Sequence, residues 1–311
     1  MTRVGVVDLG TNSTRLLVAD VEDGVVSELD RRLEITRLGE GVDARRQLLP
    51  EAVARVRNVL ADYRRAVEEL AAERTLAFAT SAVRDAENGE AFLGEIEWSY
   101  GFETRLLTGH EEALLTFRGV ATGRAVEEDT LVVDVGGGST ELILGGLDGV
   151  SFHESYDLGC VRLTERFPGD PAGAAAHVRS TLERVPAEVR PRRALGVAGT
   201  ITQLATLDLG LEREEPDLVH GHRLATENVA AQLQRLSTLS VDEIRRERGM
   251  HPDRAPVIVA GAVVVLETLS YFGLDQLEVS ERDIMHGAAL AAATLPEPAE
   301  GEAPPGGFTC C

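Results

Sequence analysis

One pattern occurs twice in this chain. Val6-Val7-Asp8-Leu9-Gly10-Thr11-Asn12-Ser13-Thr14-Arg15-Leu16-Leu17-Val18 aligns without a gap on Val132-Val133-Asp134-Val135-Gly136-Gly137-Gly138-Ser139-Thr140-Glu141-Leu142-Ile143-Leu144, at an offset of 134 − 8 = 126. In both copies a β-branched apolar run ends in Asp. A turn of small residues follows, and then a second apolar run. That order reads as a strand–turn–strand hairpin. Glycines let the turn backbone come close to a ligand and adopt positive φ. Successive N–H groups in such a turn form an anion-binding concavity. The Asp at the strand end stands where it can hold a metal, directly or through water. A single Asp-x-Gly turn is commonplace. Two in one register imply two related halves, each offering a phosphate hairpin, with a nucleotide- or phosphate-sized cleft between them.

Composition narrows what such a chain can do. Its 311 residues suit two domains, each with its own core. All 31 Lys+Arg residues are arginine. Without lysine, a Walker-type phosphate loop, Schiff-base chemistry and pyridoxal phosphate are excluded. The formal net charge of −21 makes a poor generic nucleic-acid binder. A bound polyanion must be met by local arginines, backbone N–H groups and bound metal. Cys160, Cys310 and Cys311 are too few for a disulfide framework and form no CxxC zinc pair. No apolar stretch approaches the roughly 18 residues of a membrane span. No basic leader precedes the first strand-like segment, so a cytoplasmic location and no membrane partner are expected.

Along the chain, residues 49–72 carry apolar positions at helical spacing, with Pro50 in the first turn. Residues 75–83 read as a strand, Asn88 as the cap of a helix through Ile96, and 102–107 as a further strand. Thr108 and Glu111 fit a capping box. Glu112 then reads locally as an acid that favours the first helical turn. Residues 194–197 read as a strand. Gly199-Thr200 opens a helix and could receive a phosphate or serve as an ordinary cap. Residues 257–272 read as a buried helix, 277–279 as a strand and 284–294 as a last helix. Strands alternate with helices, so the class is α/β. The expected domains are 1–122 and 123–295, with the last helix free to pack back on the first. A disordered tail is expected over 296–311.

Six motifs in order carry a resemblance over nearly the whole chain, to about Leu295. They are Asp8 to Ser13, Ala79 to Arg84, Gly109 to Ala113, Asp134 to Glu141, Gly159 to Leu163, and Gly196 to Thr200. Together they closely resemble the exopolyphosphatase/guanosine pentaphosphate phosphohydrolase (Ppx/GppA) family, in a short form without the C-terminal helical region of longer members. The resemblance implies a two-domain actin-like (ASKHA, ribonuclease-H-like) fold with an interdomain cleft. It implies Mg²⁺- or Mn²⁺-dependent hydrolysis that releases terminal orthophosphate from inorganic polyphosphate. The closest alternative is conversion of pppGpp to ppGpp, and a kinase or an ATP-driven switch of the same fold stand further off.

The resemblance also implies roles. Glu112 falls on the catalytic base, which replaces its local reading. Asp134 and Glu141 fall on the metal ligands, with Asp8 facing them. Gly136, Gly137, Gly138 and Ser139 resemble one phosphate loop, and Gly10, Thr11, Asn12 and Ser13 the other. Arg84 falls on a substrate-binding arginine, and Arg15 is a second candidate for offsetting substrate charge. A homodimer is mildly favoured. Gly159 to Leu163 receives no role.

Overall fold

The first copy of the repeat folds as a hairpin in the computed structural model, which describes residues 1–296. Strands β1 (Thr2–Leu9) and β2 (Thr14–Glu22) pair antiparallel, with Asp8 opposite Arg15 and Leu9 opposite Thr14. Strand β3 (Val25–Glu34) extends the meander beyond β2. On the other side of β1 lie β4 (Arg74–Ala79) and β5 (Glu103–Leu106), both parallel to it. The sheet order is β3-β2-β1-β4-β5. Its inner strands are apolar on both faces, as strands buried on both sides must be. Val7, Leu9, Leu16 and Val18 pack against the helix Pro50–Glu69 side of the core, while Val4, Val6, Leu17 and Ala19 face the other cluster.

The second copy repeats the plan. Strands β6 (Thr130–Val135), β7 (Thr140–Gly146) and β8 (Gly149–Tyr156) form the meander, and β9 (Arg193–Val197) lies parallel to β6. β10 (Arg223–Ala225) pairs antiparallel with β11 (Gln276–Val279), and β11 runs parallel to β9. Read from β8, the order is β8-β7-β6-β9-β11-β10. The first five strands thus follow the same path as the first sheet, with β10 added at the edge. Even the irregularity repeats. The β2/β3 register shifts between Val18 and Ala19, and the β7/β8 register between Leu144 and Gly145, again 144 − 18 = 126 residues on. Bulges at matching positions mark the two sheets as copies of one α/β unit.

The described chain divides into two compact units, Met1–Gly123 together with the chain from Ile284, and Arg124–Asp283. The second unit therefore ends at Asp283, not at 295. The helix Ile284–Ala292 belongs to the first sheet because its apolar and small residues, Ile284, Met285, Ala288, Ala289 and Ala292, complete the cluster on β1, β2 and β4. His286 Nε2 and Glu28 Oε1, 2.9 Å apart, add a polar tie to β3. In the second unit the apolar helix Ile258–Phe272 is buried in the core with Leu131, Val133 and Leu142.

Three local expectations change. The strand expected over 75–83 stops at Ala79, and Ser81–Asp85 forms a short helix. Asn88 does not cap the helix Gly89–Tyr100 with its side chain. Its amide instead exchanges two hydrogen bonds with the Leu48 backbone, at 2.8 and 3.0 Å. Expected tail residues 297–311, including Cys310 and Cys311, lie outside the described residues. Among the described residues no helix is long and apolar enough to cross a membrane.

The closeness of the last helix gives a test. A Cβ on Gly287 would lie 1.9 Å from the Leu115 carbonyl oxygen, whereas one on exposed helical Gly94 would meet nothing within 4 Å. Gly287→Ala should cost about 1–3 kcal/mol by overpacking, and Gly94→Ala should add about 0.5–1 kcal/mol of helix propensity. Denaturant unfolding of the two variants reads both signs.

Candidate functional site

In the first unit the singled-out residues gather at one edge of the sheet, beyond the C-terminal ends of parallel β1, β4 and β5. Open α/β sheets bind ligands at that edge. The loop Gly10–Ser13 follows β1, and Gly10 N–H donates to Ser13 O at 3.0 Å. Arg84 leaves the short helix after β4. Glu112 lies in the first turns of the helix Gly109–Val120 after β5.

That helix is fixed at its start by a complete capping box. Thr108 Oγ1 accepts from Glu111 N–H, and the Glu111 carboxylate accepts from Thr108 N–H at 2.9 Å and from its hydroxyl at 2.8 Å. Those bonds hold the Glu111 carboxyl below the usual glutamate range. Glu111 is thereby occupied and exposed, while Glu112 turns inward and is 7% exposed. Arg84 NH1 donates to Glu112 Oε2 at 3.3 Å and to Leu107 O at 2.8 Å. The guanidinium expected to meet substrate thus also orients the carboxylate expected to act as base.

In the second unit the corresponding edge carries the loop Gly136–Ser139, closed by a Gly136 N–H to Ser139 O bond of 3.0 Å. Neither loop uses positive φ. None of Gly10, Gly136, Gly137 and Gly138 has a left-handed backbone. Close approach is the reason for the glycines instead. A Cβ at Gly10 would lie 2.9 Å from Ser13 O, and one at Gly136 would lie 3.2 Å from Ser139 O. Ser139 and Thr11 are both buried. Gly199 and Thr200 open the helix after β9, but Gly199 O is taken by Arg254 NH1 at 2.8 Å and a Cβ on Gly261 would strike Thr200. The N-cap residue of this helix is Val197, and no side chain caps it.

One of the differences between the two hairpins reverses a charge. Residue 15 + 126 = 141, so Arg15 and Glu141 are counterparts, each directly across the ladder from its Asp. In the first hairpin Arg15 Nε and NH2 lie 2.8 and 2.7 Å from Asp8 Oδ2. The buried carboxylate there is met by its own arginine, so Asp8 and Arg15 neutralise one another. In the second hairpin two buried acids, Asp134 and Glu141, face each other, and Glu141 Oε1 accepts from the Ser155 hydroxyl at 2.6 Å. Among the described residues no group of three or more His, Cys, Asp and Glu side chains is placed to hold a metal. Mg²⁺, however, is commonly held by one or two carboxylates plus substrate phosphates. The Asp134–Glu141 pair has the hard oxygen chemistry for that ion, whereas the Asp8 carboxylate is engaged by Arg15.

The chain is similar to known proteins along nearly its whole length. The model of the Ppx/GppA phosphatase family matches residues 17–294. Exopolyphosphatase 2 of Mycobacterium tuberculosis is 40% identical, across 94% of this chain and 99% of its own. The crystal structure of an exopolyphosphatase-like protein superposes with a TM-score of 0.87 at 32% identity, covering 93% of this chain and 98% of that one. The Aquifex aeolicus Ppx/GppA family member does so with a TM-score of 0.79 at 31% identity, covering 93% and 97%.

The contrast between the hairpins is testable. Arg15→Met strands the buried Asp8 carboxylate and should cost about 3 kcal/mol in denaturant unfolding, the scale for breaking a buried ion pair. The double variant Asp8→Asn/Arg15→Met, which removes both charges, should recover more than half of that. An unchanged midpoint in the single variant would show that the pair contributes nothing.

Proposed function

This chain belongs to the Ppx/GppA phosphatase family, and we propose that it is an exopolyphosphatase, a phosphoanhydride hydrolase that releases terminal orthophosphate from inorganic polyphosphate. The observation that carries the proposal is Glu112, buried on the same sheet edge as a phosphate loop and held by Arg84.

Phosphoryl transfer needs positioning and charge neutralisation more than covalent help from the protein. In the proposed reaction Glu112 orients a water and takes its proton. The water oxygen bonds to the terminal phosphorus as the bridging P–O bond breaks, and the shortened chain leaves with that oxygen. Each unit offers loop N–H groups to phosphate oxygens, those of Thr11, Asn12 and Ser13 in the first and of Gly137, Gly138 and Ser139 in the second, with Gly10 and Gly136 closing each turn. Arg84 offsets substrate charge, and Arg is suited to phosphate contact. Asp134 and Glu141 would hold Mg²⁺ or Mn²⁺, which when bound neutralises charge on the phosphate oxygens. Asp8 is left to fix Arg15 and the first loop. Because the chain carries a net charge of −21, affinity for a polyanion should fall steeply when the divalent ion is withheld.

The test is phosphate release from short and long polyphosphate and from pppGpp in parallel. Polyphosphate should be the better substrate, and excess chelator should abolish release until Mg²⁺ is restored. Preferential release from pppGpp would move the same site to alarmone turnover. Glu112→Gln should keep the fold and lose about 10²–10⁴-fold in turnover, the usual contribution of a general base. Near-normal turnover in that variant would remove Glu112 from the role.

A further inference from the structure

The motif Gly159 to Leu163, left without a role above, touches the second phosphate loop at every residue from Gly159 to Arg162. Cys160 N–H donates to Gly136 O at 3.0 Å. Val161 and Arg162 N–H groups donate to Gly137 O at 2.9 and 3.2 Å. The Arg162 side chain, 8% exposed, donates from Nε to Gly138 O at 2.7 Å. Three consecutive loop carbonyls are therefore drawn to one side. In a trans peptide the N–H points opposite to the C=O. Pulling the carbonyls of Gly136, Gly137 and Gly138 toward this segment turns the N–H groups of Gly137, Gly138 and Ser139 the other way. Among the described residues, those three N–H groups enter none of the backbone hydrogen bonds of turns and loops. Gly159 permits the contact, since a Cβ there would lie 2.1 Å from Gly137 O.

The first unit repeats the device. Gly39 N–H donates to Thr11 O at 2.8 Å and Arg37 N–H to Asn12 O at 2.9 Å. Thr11 and Asn12 are the counterparts of Gly137 and Gly138 at the 126-residue offset. Here too a buried Leu-Gly pair follows the third strand, Leu38-Gly39 matching Leu158-Gly159. A Cβ on Gly39 would lie 2.3 Å from Thr11 Cγ2. Arg37 reaches its place with φ 49°, a left-handed conformation that L residues seldom adopt. The halves differ in their donors, three N–H groups holding Gly136 O and Gly137 O in the second unit and one holding Thr11 O in the first. A backbone N–H holds Asn12 O, and the Arg162 guanidinium holds Gly138 O.

We propose that the Leu-Gly segment after the third strand of each unit is a brace that holds its phosphate loop with the N–H groups turned to substrate, and that Arg162 is the positioning residue that completes the second brace. Arg162 acts through Gly138 and touches no reacting atom. The proposal rests on the phosphate-loop reading given above. Loop N–H groups that meet phosphate before and during reaction contribute uniform binding, so loosening them raises KM more than it lowers kcat.

Arg162→Met keeps the length and apolar stem but removes the donor. With tripolyphosphate and Mg²⁺, KM should rise about tenfold, the scale for one lost charge-assisted hydrogen bond, with a smaller change in kcat. Arg162→Lys, which retains a donor, should recover part of it. Leu182→Ala, a core truncation in the same unit away from the loop, should lower thermal stability and leave KM unchanged. Hydrogen exchange read by mass spectrometry supplies a measure independent of activity: the amides of 160–162 should exchange faster in Arg162→Met than in the wild type. A wild-type KM with wild-type exchange in Arg162→Met overturns the brace, as does an equal rise of KM in Leu182→Ala. If the wild type releases no phosphate, the exopolyphosphatase reading falls, and the exchange comparison alone decides the brace.

Discussion

A peptide group whose carbonyl is bonded on one side is held with its N–H turned to the other, and both loops of this protein are held in this manner. Thr11 and Asn12 in one unit, and Gly136 to Gly138 in the other, surrender their carbonyls to the segment that follows the third strand. Everything else at the two sheet edges is arranged around loops fixed in this way. Fixed dipoles suit an acidic chain with no lysine. They attract a phosphate without a mobile cation and need no reorganisation when charge shifts during reaction.

Duplication supplied two hairpins, and one position separates their chemistry. Arg15 closes on Asp8 and makes the first hairpin internally neutral. Glu141 stands opposite Asp134 and leaves the second rich in negative charge. In the function proposed above, one hairpin is a phosphate loop beside a neutral ion pair, and the other is a phosphate loop beside an oxygen-rich pair suited to a divalent ion. The same logic separates Glu111 from Glu112. Adjacent acids on one helix receive different environments, because one is consumed by the cap and the other is turned inward to Arg84.

Small residues make these close approaches feasible. Gly159 lies on Gly137, Gly39 on Thr11, and Gly287 on the Leu115 carbonyl. The first two bring a brace against a loop. The third seats the last helix on the first sheet, where the cluster of Ile284, Met285 and Ala288 closes over Val4, Val6 and Leu17.

The sequence by itself determined the duplicated hairpins, the α/β alternation, both small-residue loops and the cap at Thr108. All are short-range patterns: period-two alternation, a turn within four residues, a side chain reaching three residues on. The family's motifs also brought Glu112 forward against its local reading. What tertiary structure decided depends on partners distant along the chain. Asn88 bonds to Leu48, forty residues back, where its local pattern suggests a helix cap. The last helix leaves the unit that precedes it in sequence because its apolar face fits a sheet begun at Thr2. Arg15 is engaged by Asp8, a pairing set by hairpin register and invisible to charge counting. The Leu-Gly braces repeat at 159 − 39 = 120 residues, off the 126-residue register, so an ungapped alignment passes over them. Only the hydrogen bonds from each segment to its loop carbonyls show that they are the same part.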